Sequence, residues 1–80
     1  MYYVYVIRSV QYPENKYVGF TTDLEARLKK HNEGGSVHTA RCHPWVLAAC
    51  VLFPYKGKAL EFEKYLKSHS GRAFAQKRFY

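Results

Sequence analysis

Acidic residues are scarce in this chain of 80 residues. Six aspartates and glutamates stand against thirteen lysines and arginines, which leaves a net charge of +7. So strong a positive field on a small protein favours a polyanionic partner, and nucleic acid is the first candidate. The basic residues are spread over both halves of the chain and not collected on one amphipathic helix, so a membrane surface is disfavoured as a partner.

Cysteine and long apolar runs are scarce too. Cys42 and Cys50 form no CxxC pair, so the sequence indicates neither a zinc site nor a redox motif. We interpret Cys42 as a loop thiol and Cys50 as a buried strand residue in a reducing compartment. No apolar stretch has the length of a membrane span, and the chain enters a strand-like run at once, without a secretion signal. We expect a cytoplasmic protein.

The length predicts one small domain over residues 1–80. A chain of this size buries only roughly 60–65% of its extended surface, so the core must be thin. Eight tyrosines supply much of the packing area, and each can pack its ring while keeping a hydroxyl available.

Two β-forming runs, residues 2–7 and 16–20, flank a turn that contains Pro13 and Asn15. An antiparallel hairpin is the simplest interpretation. It would place two tyrosine-containing triplets, residues 3–5 and 17–19, beside one another on neighbouring strands.

A helix is predicted to follow the hairpin directly. Thr22 and Glu25 have capping-box spacing, and the glycines at 34 and 35 mark the end. Arg27 and His31 fall on or beside the stripe that the helix leucines bury. Cations that lean inward need partners or a cleft, because burying an unpaired charge is costly.

The second half of the chain predicts one strand and one or two helices. Residues 45–53 are the most apolar segment, and we expect them to form the central strand, covered on both faces. Residues 58–68 have helical spacing and carry Glu63, and Gly71 is the predicted stop. Residues 72–79 form either a short helix or a packed tail. The outline is α+β in class.

The inward-facing polar residues match the requirements of phosphodiester hydrolysis. Glu63 offers an oxygen ligand for a divalent cation, and Arg27 can bind two phosphate oxygens. His31 and the hydroxyls of Tyr5 and Tyr17 are available to transfer protons or orient water. A single carboxylate favours one metal ion over a pair. Tyr17 would need a nearby cation to act as a base, because a phenol titrates near ~10.

The triplets at 3–5 (Tyr-Val-Tyr) and 17–19 (Tyr-Val-Gly), with the residues that follow, resemble the GIY-YIG endonuclease family, over the chain from residue 3 to about 67. The resemblance implies a three-stranded antiparallel sheet flanked by helices, as in compact stand-alone members of the family. It implies a metal-dependent endonuclease that cleaves DNA, in repair or recombination, with Mg²⁺ or Mn²⁺ as cofactor. The implied catalytic residues are Tyr5, Tyr17, Arg27, His31 and Glu63, with Glu63 as the metal ligand.

The sequence departs from the family pattern at three places. Tyr3 replaces the first glycine of the GIY triplet, and Phe20 stands where some repair members have lysine. An asparagine that some members carry near the end of the domain has no clear counterpart. These departures bear on the substrate and turnover more than on the fold.

A loop with basic side chains, His38, Thr39 and Arg41, could contact phosphates beside the cleft or simply be an exposed loop. Taken singly, the site residues also have ordinary explanations; Glu63, for example, could pair with Lys67 on the helix surface. A nucleic-acid-binding module that cleaves poorly is therefore the alternative function, and charge that serves solubility alone is a third. RNA is not excluded as substrate, and a protein partner could supply substrate selection.

Overall fold

The computed structural model describes residues 1–35 and 39–79, and the sequence forms a three-stranded sheet with helices on both faces. The elements in chain order are β1 (Tyr2–Ser9), β2 (Lys16–Thr21), α1 (Leu24–Asn32), a short 3-10 helix (Ala40–Cys42), β3 (Trp45–Phe53), α2 (Lys56–Leu66) and α3 (His69–Arg78). The predicted α+β class is confirmed. No helix within the described residues is long and apolar enough to span a bilayer.

The sheet is antiparallel throughout, with the strand order β2-β1-β3. β1 is therefore the central strand, and the prediction that residues 45–53 would be central is wrong. The apolar run of β3 misled the sequence interpretation, because it lies at an edge and leaves Leu47 and Leu52 exposed. Burial on both faces belongs instead to four consecutive residues of β1, from Val4 to Ile7.

The alternation of β1 side chains divides the interior into two clusters. Val4 and Val6 pack on one face with Ala59, Leu66 and Ala75 of α2 and α3. The opposite face carries the second cluster, whose buried members are Tyr5, Ile7 and Trp45 and which also contacts Leu24 and Leu28 of α1. Tyr5 and Tyr17 of the candidate site belong to this second cluster, whereas α2, which carries Glu63, packs on the first face.

The N-terminus of α1 lies one residue later than the capping-box pattern indicated. Asp23 is the N-cap, and its Oδ1 accepts a hydrogen bond from the Ala26 backbone N–H at 3.1 Å. Thr21 supports this start, because its hydroxyl accepts from the Asp23 N–H at 3.1 Å. The capping contact therefore joins Asp23 to Ala26 instead of Thr22 to Glu25.

Gly71 lies inside a helix and does not end one. The terminal segment is the helix α3, capped by the Ser68 hydroxyl, which accepts from the Gly71 N–H at 3.1 Å. A Cβ at position 71 would lie 1.7 Å from the backbone oxygen of Tyr65. The glycine is needed because α3 approaches the end of α2 at backbone contact distance.

Both cysteines are free and half-buried. Cys42 lies in the 3-10 helix, where the Asn15 side-chain amide donates to its Sγ at 3.3 Å. Cys50 lies in β3 opposite Tyr5, and burial raises the pKa of its thiol. Burial favours the protonated thiol, as expected for a packing role.

Candidate active site

The hairpin places the two tyrosine triplets side by side, as the sequence predicted. Tyr5 pairs with Gly19 and Ile7 pairs with Tyr17 in the register of β1 and β2. A Cβ added at Gly19 would lie 2.3 Å from the Tyr5 hydroxyl oxygen and 2.4 Å from its Cζ. The Tyr5 ring therefore lies directly over the glycine of the second triplet, and only glycine leaves room for it.

A buried hydrogen-bonded chain connects β1, α1 and the segment before β3. The Tyr5 hydroxyl lies 2.8 Å from Nε2 of His31, and Nδ1 of the same ring lies 2.7 Å from Oγ1 of Thr39. The three residues have relative exposures of 1%, 1% and 0%. Both ring nitrogens of His31 are therefore occupied by protein groups, away from solvent.

Burial keeps both members of the central pair neutral. The pKa of Tyr5 is raised to about 12; burial is the largest cause and repulsion from Tyr17 the second. The charge and hydrogen bonding of Arg27 partly oppose the rise. The pKa of His31 is lowered by burial first and then by the positive charges of Arg27 and Lys30. At neutral pH the site therefore holds a phenol and an uncharged imidazole.

Two arrangements of protons satisfy both ring nitrogens of His31. With the proton on Nδ1, the Tyr5 O–H donates to Nε2 and the Nδ1–H donates to the Thr39 hydroxyl; with the proton on Nε2, both directions are reversed. In either arrangement the neutral ring bonds a buried hydroxyl at each nitrogen, and loss of either hydroxyl leaves a buried nitrogen without its partner, which is costly.

Thr39 is fixed from a second side. Its backbone oxygen accepts a hydrogen bond from Nε1 of Trp45 at 2.9 Å. Asn32, at the end of α1, bonds both the backbone oxygen and the backbone N–H of Trp45. The end of α1 and the start of β3 are thereby tied together around His31.

This placement changes the role predicted for the basic loop. Thr39 is fully buried and contacts His31, so it cannot reach a phosphate in this conformation, and the sequence-based prediction of a phosphate contact is corrected. Arg41 is exposed in the 3-10 helix, and its phosphate contact stays a prediction. His38 lies outside the described residues.

Tyr17 is the more accessible of the two tyrosines. It is half-buried, its ring centroid lies 6.5 Å from that of Tyr5, and its ring meets that of His31 edge-on at 5.2 Å. It also lines two surface grooves. Among the aromatic groups of the site, Tyr17 is therefore the one placed to meet solvent or a substrate.

Arg27 and Glu63 complete the set from two different helices. Arg27, on α1, is half-buried, and its charge acts on both Tyr5 and His31. Glu63, on α2, is near enough to Tyr5 for its carboxylate to contribute to the raised pKa of the phenol. The structure thus groups Tyr5, Tyr17, Arg27 and His31 together and places Glu63 within electrostatic range of Tyr5.

The Glu63 carboxylate also has a partner on its own helix. Nζ of Lys67 lies 3.2 Å from Oε2 of Glu63, which is the surface pair that the sequence offered as an ordinary explanation. Glu61 points elsewhere and pairs with Lys58 at 3.9 Å. Glu63 therefore pairs with Lys67 and also acts electrostatically on Tyr5.

The donors of the site fit one hard cation that keeps most of its water. Within residues 1–35 and 39–79 no three His, Cys, Asp or Glu side chains form a group that could hold a metal. Glu63 is the single predicted carboxylate ligand, and it is only partly exposed. Such a ligand set suits Mg²⁺, which retains several waters and takes further oxygens from phosphate, and does not suit zinc.

Sequence reasoning missed the residues that hold the site residues in place. Thr39 and Asn32 were not predicted to hold His31 and Trp45 in place, because their partners lie across a loop without periodicity. Gly19 offered the better signal. A glycine inside a β-forming run indicates a close approach by another group, and here that group is the Tyr5 ring.

Comparison with known proteins places the chain in a family. The family model for the GIY-YIG catalytic domain matches residues 1–78. The structure also resembles the solution NMR structure of the UPF0213 protein BH0048 from Bacillus halodurans, with a TM-score of 0.57, 35% sequence identity, and coverage of 96% of this chain and 82% of that one. Because the two chains are 35% identical, this resemblance supports the family as well as the fold.

Two groups of relatives emerge by sequence. The chain is 36% identical to the structure-specific endonuclease subunit SLX1 of Malassezia globosa, over 90% of this chain but 17% of that protein. It is 34% identical to the UPF0213 protein SH2523 of Staphylococcus haemolyticus, over 86% of this chain and 83% of that protein. The chain thus spans about a fifth of the length of the SLX1 proteins and most of the length of the UPF0213 proteins. It belongs to the GIY-YIG nuclease family.

Proposed function

We propose that the protein is a metal-dependent endonuclease that hydrolyses phosphodiester bonds of DNA. The observation that carries the proposal is the convergence of the buried Tyr5–His31 pair with Tyr17, Arg27 and Glu63 in one region. Selection by DNA structure instead of sequence is supported by the SLX1 relatives, which are named structure-specific endonuclease subunits. Those relatives are named as subunits, which supports a protein partner in substrate selection. We expect the protein to act in the cytoplasm.

Arg27 and Glu63 carry the charge of the reaction in this proposal. The guanidinium of Arg27 binds non-bridging oxygens of the scissile phosphate. Glu63 holds Mg²⁺ or Mn²⁺, which supplies positive charge for the phosphate and the leaving oxygen when bound. The cation would compete with Lys67, whose ammonium lies 3.2 Å from Oε2 of the same carboxylate.

The two tyrosines have different roles. Tyr5 keeps its proton, because its pKa is raised to about 12, and it acts with His31 to hold the site in place. His31 is a positioning residue, since both of its ring nitrogens are bonded to buried protein groups. Tyr17 is half-exposed at the grooves, and it orients the attacking water and takes part in its deprotonation.

Cleavage assays with matched carboxylate variants test the function. Branched, nicked and linear DNA are incubated with the protein and Mg²⁺ or Mn²⁺. We expect Glu63→Ala and Arg27→Ala to abolish cleavage while DNA binding persists. Glu61→Ala, on the same helix but paired with the exposed Lys58, is the control and should cleave normally. Equal activity of Glu63→Ala and Glu61→Ala would contradict the proposed metal ligand.

A nucleic-acid-binding module with weak cleavage is the second candidate. It is favoured by one specific observation, the ion pair that neutralises the only predicted metal ligand. DNA binding without cleavage, across all substrates and both metal ions, would favour this module over the enzyme. The same assays with RNA decide between the two nucleic acids.

A further inference from the structure

A groove beside Tyr17 has the composition of a nucleic-acid subsite. It lies between β2 and the facing ends of α2 and α3 and has a volume of about 390 Å³. Its apolar floor is formed by Val18, Leu66 and Ala75, of which the last two are buried in the core. This floor is part of the cluster that joins both helices to the sheet.

The rim of the groove is cationic. Lys16, Lys67 and Arg72 line it; Glu14 is the one carboxylate in the lining, and Lys67 is paired with Glu63 beside it. The amide of Gln76, one helical turn after Arg72, adds a donor and an acceptor on the α3 side. An apolar floor beneath cations and an amide suits a ligand with a planar or sugar surface and a phosphate charge.

The groove is continuous with the candidate active site. Tyr17 lines the groove and also contacts the ring of His31 edge-on. Lys67 lines the groove and also pairs with Glu63. A chain bound in the groove would therefore reach the tyrosine and the carboxylate to which hydrolysis is assigned above.

We propose that this groove binds the nucleic-acid strand that flanks the scissile phosphate, with Arg72 on a backbone phosphate and Gln76 on the adjoining nucleotide. The proposal rests on the proposed function for the position of the scissile phosphate. The volume lies within the range of small-ligand sites, roughly 300–1,000 Å³, which suits one nucleotide of one strand and not a base-paired duplex.

Two other grooves are less suited to a polyanion. The second groove that Tyr17 lines shares Glu14 and Lys16 but is otherwise lined by neutral residues, among them Thr39 and Trp45, so its charges cancel. A third groove has Arg8 and Lys16 and no carboxylate, but it contains none of the candidate site residues. Positive charge and continuity with the site occur together in the first groove.

Binding measured without hydrolysis tests the groove. The probe is a fluorescein-labelled single-stranded oligonucleotide, titrated with the full chain in EDTA at several salt concentrations. We expect Arg72→Ala to weaken binding and to lower the slope of log K against log salt by about 0.7, the value for one lost phosphate contact on a single strand. Gln76→Ala should weaken binding with the slope unchanged, since no charge is lost. Arg72→Lys should restore the slope.

Lys77→Ala is the matched control, because Lys77 is exposed on the same helix but outside the groove. It should bind with the slope of the parent protein. Parent-like binding by Arg72→Ala and Gln76→Ala would overturn the proposal, and so would an equal loss in Lys77→Ala. Melting temperatures should be unchanged, because these side chains are exposed.

Cleavage assays keep this proposal separate from the function itself. If the parent protein cleaves DNA and the groove variants bind the oligonucleotide normally, the groove proposal is contradicted and the proposed endonuclease function is supported. If the parent protein never cleaves but Arg72→Ala lowers the salt slope and Lys77→Ala does not, the proposed endonuclease function is contradicted and the groove proposal is supported.

Discussion

The Tyr5 ring covers Gly19 so closely that a Cβ there would lie 2.3 Å from its hydroxyl oxygen. The tyrosine of one strand and the glycine of the next thus form one structural unit. The glycine of the second triplet is required by the tyrosine of the first, because the pair is directly opposed in the sheet.

Gly19→Ala should displace the Tyr5 ring and destabilise the protein by about 1–3 kcal/mol, the usual effect of overpacking. Urea unfolding measures the change. Gly57→Ala is the control, because a Cβ at Gly57 meets nothing within 4 Å and α2 should gain about 0.5 kcal/mol from alanine. Equal stability of Gly19→Ala and the parent protein would contradict the close contact.

Stability should fall as the pH decreases below about 6.5. The pKa of His31 is lowered from 6.5 in the folded protein, so the unfolded chain binds more protons as the pH falls through 6.5 towards the lower folded value. The contribution of neutral His31 is therefore complete above 6.5 and is lost on acidification. Urea unfolding between pH 5 and pH 8 measures it.

His31→Gln should remove this part of the pH dependence, whereas His69→Gln, at an exposed position, should leave it unchanged. A pH dependence that is identical in His31→Gln and the parent protein would show that His31 is not the group responsible.

Thr39→Val should destabilise the protein by about 1–3 kcal/mol, because Nδ1 of buried His31 loses its hydrogen-bond partner. The salt slope of DNA binding should be unchanged, since Thr39 is buried and makes no phosphate contact in the proposed complex. Thermal unfolding and salt titration measure the two effects.

Arg41→Ala is the complementary variant. Arg41 is exposed, so its removal should leave stability unchanged and, if the predicted phosphate contact is correct, lower the salt slope by about 0.7 for a single strand. A lower slope in Thr39→Val with normal stability would contradict the structural role of Thr39.

Tyr5→Phe and Tyr17→Phe should differ in stability. Tyr5→Phe leaves Nε2 of His31 without its hydrogen-bond partner and should lower the unfolding free energy by about 1–3 kcal/mol. Tyr17→Phe should leave stability near that of the parent protein and lower cleavage by about 10²–10⁴-fold, as expected for a proton-transfer group. Full cleavage by Tyr17→Phe would exclude its hydroxyl from the reaction.

Lys67→Ala should strengthen metal binding, because Lys67 competes for the Glu63 carboxylate. A partly exposed ion pair contributes roughly 0.2–1 kcal/mol, so the affinity should rise by up to about fivefold. Titration with Mn²⁺, followed by electron paramagnetic resonance, measures binding without activity.

Lys58→Ala is the control for this change, because Lys58 pairs with Glu61 and should not alter the affinity. Equal Mn²⁺ affinity of Lys67→Ala and the parent protein would contradict the competition. Loss of Mn²⁺ binding in Glu63→Ala identifies the ligand itself.

Local sequence patterns predicted most of the elements. Alternating β-formers predicted the hairpin, and the stripe with Arg27 and His31 predicted the face of α1 that borders the site, because these patterns repeat within a few residues. The prediction of which strand is central was wrong, because two signals competed. The apolar run of residues 45–53 indicated a central strand, although pairing gave that position to β1.

The sequence by itself determined the family motif, the two strands that carry it and the kinds of side chain available for hydrolysis. Tertiary structure alone decided how those side chains are held. Tyr5 and His31 are 26 residues apart, and Thr39 joins them from another segment, so no local pattern specifies their contact. Burial, which exists only after folding, raises the pKa of Tyr5 and lowers that of His31. It thereby keeps both groups uncharged at neutral pH, because removing water disfavours charge on either group.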